Sequence, residues 1–278
     1  MRKSFFPGMT GIFCLFFFPY LITAVFNGVN TTLINKKFDV EMILPVLTAS
    51  QIGDVYELET IKAQTIIARS NFYRNLKEKK SLGIVLDQIR KEVKKEMLYC
   101  AVKEKKYERA VEETEGKVIT WENELKLVPY HEISAGQTRS EEEVFHNRDD
   151  SYLKSVQSSV DKESKDFLNS VYINKNILPE ELEIKSRDSA GYVTELLADG
   201  KTLEGESFRK GMGLTSANFT IQKLGNQVRF LCKGKGHGMG FSQYGGNEMA
   251  KASNTDEEIL EYYFPDMEIQ VINYKMIE

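Results

Sequence analysis

The hydrophobic and polar positions divide this chain sharply near residue 35. Arg2 and Lys3 precede a run, residues 4–35, without a single charge, and its centre, residues 11–26, is almost wholly apolar. A bilayer-spanning helix needs about 20 such residues. A soluble core helix of that length would show a polar face, and no clear Ala-x-Ala cleavage site follows the run. The pattern therefore predicts an uncleaved single-pass anchor, with the basic flank in the cytoplasm and the rest of the chain outside it. After a polar tether, residues 40–50 are apolar and read as helical or buried, with Pro45 near the start. Residues 51–54 read as a turn, Asp54 serving as N-cap of the next helix. There Leu58, Ile61, Thr65, Ala68 and Phe72 recur at three- and four-residue spacing, an apolar stripe that has no need of the polar Gln64 and Arg69. Residues 81–100 repeat the amphipathic pattern, their lysines and arginine forming a solvated face.

From residue 110 the period shortens toward strands and turns. Residues 116–121, 191–197 and 217–222 read as strands, with Asp199 and Gly200 as a turn between the last two. A polar, acidic stretch over residues 139–150 separates two regions. The final helix, residues 255–264, opens on the capping box Thr255-Asp-Glu-Glu258. The expected fold class is α+β, with helices concentrated in the first third. The expected division is 1–35 as cytoplasmic tip, anchor and tether, and 36–278 as the folded part, with room for two lobes at about 36–150 and 151–278. No internal repeat is visible.

Composition narrows the function classes. A formal charge of −4 over 278 residues leaves no basic footprint for nucleic acid. Cys14 lies in the apolar run, and Cys100 and Cys232 are far apart, forming no Cys-x-x-Cys pair and lying beside neither His131 nor His146. One disulfide or two buried thiols fit equally well, and neither metal nor cofactor is expected.

The densest chemistry is the tract Gly234-Lys-Gly-His-Gly-Met-Gly-Phe-Ser-Gln-Tyr-Gly-Gly246. Glycine at such density marks positive φ or close approach of another group to the backbone. The interleaved His237, Ser242 and Gln243 are not linker residues. The spacing lacks the third glycine of a dinucleotide fingerprint and the Lys-Ser/Thr of a phosphate loop. The tract reads as a ligand-lined loop.

Four stretches in order resemble the stage II sporulation protein D (SpoIID/LytB) family of membrane-anchored peptidoglycan lytic transglycosylases. They are Leu47-Thr-Ala-Ser-Gln-Ile with Leu58-Glu-Thr-Ile-Lys-Ala-Gln-Thr-Ile-Ile-Ala-Arg69; Tyr130-His-Glu-Ile-Ser-Ala-Gly-Gln-Thr138 with 152–156 and Asp161; Gly213-Leu-Thr-Ser-Ala-Asn-Phe-Thr-Ile221; and the glycine tract. The resemblance implies cleavage of glycan strands stripped of stem peptides, leaving 1,6-anhydro-muramoyl ends, in the wall remodelling of engulfment alongside partner proteins at the septum. In that chemistry one carboxylic acid protonates the leaving oxygen, and the sugar's own C6 hydroxyl then attacks C1. Such an acid needs a pKa raised by an apolar pocket.

The chain departs from the family at the position of that acid. The family's glutamate lies eleven residues before the Lys of Lys-Ala-Gln, and counting back from Lys62 gives Gln51. An amide can bind a sugar but cannot protonate one. Either the cleft binds glycan with weak or absent cleavage, or another carboxylate supplies the acid, with Asp54, Glu57, Glu59, Glu132 and Glu248 near motif positions. Asp54 as a helix cap and Glu57 and Glu59 as first-turn charges are the ordinary alternatives. By the same resemblance Tyr130, His131, Ser134, His237, Ser242 and Gln243 are substrate-binding candidates. For His237 a structural role weighs equally, Ser242 and Gln243 could instead brace the loop, and a Tyr at position 130 is commonly part-buried. Gln64 and Arg69 are expected to fix the loop beneath Gln51, and His146 to be exposed.

Overall fold

The computed structural model describes residues 40–79, 83–85, 105–145 and 152–272. The apolar run, Cys14, Cys100, His146 and nearly all of the predicted helix at 81–100 lie outside the described residues. Among the described residues no helix is long and apolar enough to cross a membrane. The chain divides into two compact units at residue 43. The described part of the first is a single 3-10 turn, Val40–Met42.

The second unit is built around one helix. α1 spans Leu44–Gln51 and α2 spans Leu58–Lys79. Pro45 sits in the first turn of α1, where its missing N–H costs no intrahelical bond. α2 is buried far beyond its apolar stripe, Gln64 and Arg69 being fully enclosed. It is wrapped by α1, by α3 (Lys105–Glu113), by β1 (Lys117–Thr120), and by α6 (Gln243–Lys251) and α7 (Asp256–Tyr263) from the far end of the sequence. Between α3 and α6 the short α4 (Glu141–Phe145) and α5 (Gly205–Gly211) are the other α-helices among the described residues. The capping box predicted at Thr255 is present on α7. Asp54 does not cap α2. The helix starts four residues later, Ile61 N–H bonds the Glu57 carbonyl, and Glu57 N–H donates to Asn247 Oδ1 at 2.8 Å. A side chain from α6 thus satisfies the helix start in place of a local cap.

The described strands form two three-stranded antiparallel sheets and two short pairs. β3 (Leu168–Asn174), β8 (Gln227–Lys233) and β7 (Phe219–Leu224) form one sheet, with β8 central. β4 (Leu182–Arg187), β5 (Val193–Ala198) and β6 (Lys201–Glu204) form the other. The predicted strands at 116–121, 191–197 and 217–222 correspond to β1, β5 and β7, shifted by one or two residues. These two sheets share a core containing Val193, Leu196, Phe208, Phe219 and Phe230. Cys232 is buried there as a free thiol. A separate core joins α2 through Ala63, Ile66 and Ile67 to Ile119, Phe241 and the α7 residues Ile259, Leu260 and Tyr263. β1 pairs with β10 (Glu268–Val271), and β2 (Tyr130–His131) runs parallel to β9 (Phe241–Ser242). The fold is mixed α+β.

Candidate functional site

The glycine tract is folded against residues 129–136, and its spacing follows from that contact. Gly234, Gly236, Gly238 and Gly240 all have positive φ, so every second residue adopts a conformation that side chains resist. At Gly238 an added Cβ would run into the Tyr192 ring, and at Gly240 into the Pro129 carbonyl. β2 fixes the register by pairing Tyr130 with Phe241 and His131 with Ser242.

Immediately after β9 the chain meets the end of α1. Gln243 Nε2 donates to the Gln51 carbonyl at 2.8 Å and to Gln64 Oε1 at 3.0 Å. Gln64 Nε2 in turn donates to Gln51 Oε1 at 2.7 Å. Three glutamines from α1, α2 and α6 therefore form one network, with Gln64 and Gln243 buried and Gln51 half-buried. Gln64 lies against Gln51, as the stripe argument anticipates, but Arg69 does not. Its guanidinium donates to Thr114 Oγ1, the Lys117 carbonyl and the Val111 carbonyl, tying the end of α3 to the start of β1. Five residues is more than one helical turn, so Gln64 and Arg69 point to different neighbours.

Ser134 and Ser242 face inward and meet at one carboxylate. Asp161 Oδ2 accepts Ser134 N–H at 2.7 Å and the Ser242 hydroxyl at 2.8 Å. Ser242 Oγ also accepts the Gly245 N–H, capping α6. All three residues are fully enclosed. Burial pushes the Asp161 carboxyl above its ordinary range, against the pull of its serine bonds. Asp161 stands in the second motif, but its role was not legible there; the signal is a lone acid beside two serines that become neighbours only on folding. Here Ser134 and Ser242 brace the loop.

His131 is buried, and its Nδ1 donates to the Met239 carbonyl at 2.9 Å. That bond leaves Nε2 unprotonated, and this atom has no partner among the described residues. The His237 ring lies 5.9 Å away, its Nδ1 accepting the Met239 N–H at 3.1 Å. Burial lowers both imidazoles, His131 to about 3 with a further push from His237. Because burial disfavours the charged imidazole of His131 in the folded state, its stabilising contribution is full above pH 6.5 and is lost as pH falls toward 3. Urea unfolding should show this as a loss of about 2 kcal/mol between pH 7 and pH 5, at about 1.36 kcal/mol per unit below the unfolded value. In His131→Asn, whose amide can keep the bond to Met239, that part of the slope should vanish; an unchanged slope would refute the assignment.

Tyr130 is half-buried, packing on the α2 core. Tyr56 enters the site unannounced by any motif. Its hydroxyl is pushed up to about 12 by burial and by the charges of Glu132 and Asp161. Of the other carboxylates, Glu132 pairs with Lys235, Glu59 with Lys62 and Glu248 with Lys251, while Asp54 and Glu57 are exposed. Among the described residues no group of His, Cys, Asp and Glu is placed to hold a metal ion.

Residues 28–121 match the family model SpoIID, "Stage II sporulation protein". The stage II sporulation protein D of Bacillus subtilis (strain 168) is 29% identical, covering 88% of this chain and 78% of its own length. That of Bacillus amyloliquefaciens is 29% identical over 80% of this chain and 72% of its own. An uncharacterised protein of Brachyspira hyodysenteriae is 24% identical over 86% and 69%. The family match covers α1 to β1, and the relatives extend the likeness through the glycine tract that closes on it. The chain is thus similar over most of its length to stage II sporulation protein D, and residues 28–121 match the SpoIID family model.

Proposed function

We propose that this is a cell-wall protein of sporulation that binds peptidoglycan glycan strands stripped of stem peptides and cleaves them weakly or not at all. The charge-free run behind Arg2 and Lys3 would anchor it in the membrane with residues 36–278 outside, where other cell-wall proteins would be its neighbours. The observation that carries the reading is the glutamine network. The position that resembles the family's acid is occupied by Gln51, and its amide oxygen is held by Gln64 rather than left to reorganise. An amide retains hydrogen bonding to a sugar but removes general-acid catalysis, a loss of about 10²–10⁴ in rate. Glu132, Glu59 and Glu248 are ion-paired and Asp54 and Glu57 are exposed, while the one buried carboxyl nearby, Asp161, is fully enclosed and engaged by Ser134 and Ser242.

The test uses the full chain in detergent with purified denuded glycan strands. The protein should sediment with the strands, and chromatography should show little or no 1,6-anhydro product. Failure to sediment overturns the binding reading. Abundant product would instead show that a carboxylate such as Glu132 serves as the acid, and Glu132→Gln would then abolish it.

A further inference from the structure

The glutamine network has a direction, and the direction determines what Gln51 can offer to a ligand. A glutamine amide has a donating and an accepting end of nearly equal shape, so its orientation follows from its partners. Here the series starts from an atom that cannot be reversed. The Gln51 main-chain carbonyl can only accept, so the atom of Gln243 that approaches it is the nitrogen, Nε2. That nitrogen also meets Gln64, which must present Oε1 to it. Gln64 therefore turns Nε2 toward Gln51, whose own amide must answer with Oε1. Gln51 is half-buried and its Nε2 is not a buried atom, so this branch of the amide faces away from the interior. Gln51 Nε2 has no hydrogen-bond partner among the described residues, and the residue is half-buried.

We infer that Gln51 is a ligand-binding donor: its outward NH₂ hydrogen-bonds an acceptor oxygen of the glycan, either an acetamido carbonyl or a sugar-ring, bridging or hydroxyl oxygen. This rests on the glycan-binding reading above. Gln64 and Gln243 are positioning residues that keep the donor end outward. The contribution of one such bond is about 1 kcal/mol, and somewhat more where loss strands a buried partner.

Sedimentation with denuded glycan strands tests it, using the full chain. Gln51→Met keeps the side chain's length without its amide and should weaken binding about fivefold. Gln64→Glu replaces the inward donor with an acceptor, which turns the Gln51 amide round and presents its oxygen to the ligand. It should weaken binding by a similar factor, and combined with Gln51→Met it should weaken it no further. A purely structural Gln64 would give additive losses. On N-deacetylated strands, a collapsed ratio between wild type and Gln51→Met identifies the acetamido carbonyl, and a surviving ratio places the acceptor on another sugar oxygen; both support the assignment. Gln51→Met binding as well as wild type overturns it while leaving glycan binding intact, even where Gln64→Glu does not fold. Absence of wild-type binding overturns both.

Discussion

Gln51→Glu should raise the yield of 1,6-anhydro product from denuded glycan strands about 10²-fold over wild type. The estimate takes the lower end of the 10²–10⁴ that a positioned general acid contributes. The lower end is appropriate because of Gln64. Its Nε2 lies 2.7 Å from the Gln51 oxygen and would donate to the new carboxylate, favouring the ionised form. The other carboxyl oxygen would take the outward place of the present NH₂, where the leaving oxygen needs its proton. A carboxyl stabilised as an ion is protonated only at lower pH, so the gain should be larger at pH 5 than at pH 7. Product is read by chromatography of muramitol-reduced digests. No gain at either pH, with strand binding retained, would mean that more than one group of the catalytic apparatus is missing.

Asp161→Ala should be the most damaging single change to stability around the site. It leaves the Ser134 N–H and the Ser242 hydroxyl without their acceptor in a place that water does not reach. Each stranded group costs about 1–3 kcal/mol, so the pair costs roughly 3–5 kcal/mol. For a chain of this size that corresponds to a fall in Tm of about 10 °C, measurable by circular dichroism. Asp161→Asn keeps one acceptor oxygen and removes a buried charge, so it should retain most of the stability. Equal Tm values for Asp161→Ala and wild type would show that the two serines find other partners.

What could be seen in the sequence was what is local. The α2 stripe, the Thr255 capping box and the glycine alternation are each settled within a few residues, by helical period, by a cap three positions long and by backbone sterics. The polar contacts of the site are not local. Gln243 meets Gln51 across 192 positions and Ser242 meets Asp161 across 81. No spacing rule spans such distances, and so Asp161 and Tyr56 carried no signal of their parts. The same reason misplaced the α2 cap: Asp54 has the right residue type, but Asn247, brought from α6, already satisfies the helix start. Arg69 meets Val111, Thr114 and Lys117 and not the loop beneath Gln51, because a fully wrapped helix has no single inner face.

The pairing of β1 with β10, and of the α2 core with Phe241 and α7, bears on how the chain is made. The portion that matches the family model ends at residue 121, where β1 has only just been synthesised and its partner strand has not. Until residues 241–271 emerge from the ribosome, the apolar face of α2 lacks half of its covering. Contacts of such sequence separation close slowly. A fragment stopping near residue 121 should therefore be a sticky, unfinished chain, and a nascent protein that stalls before its last helix would be a substrate for chaperones and proteases.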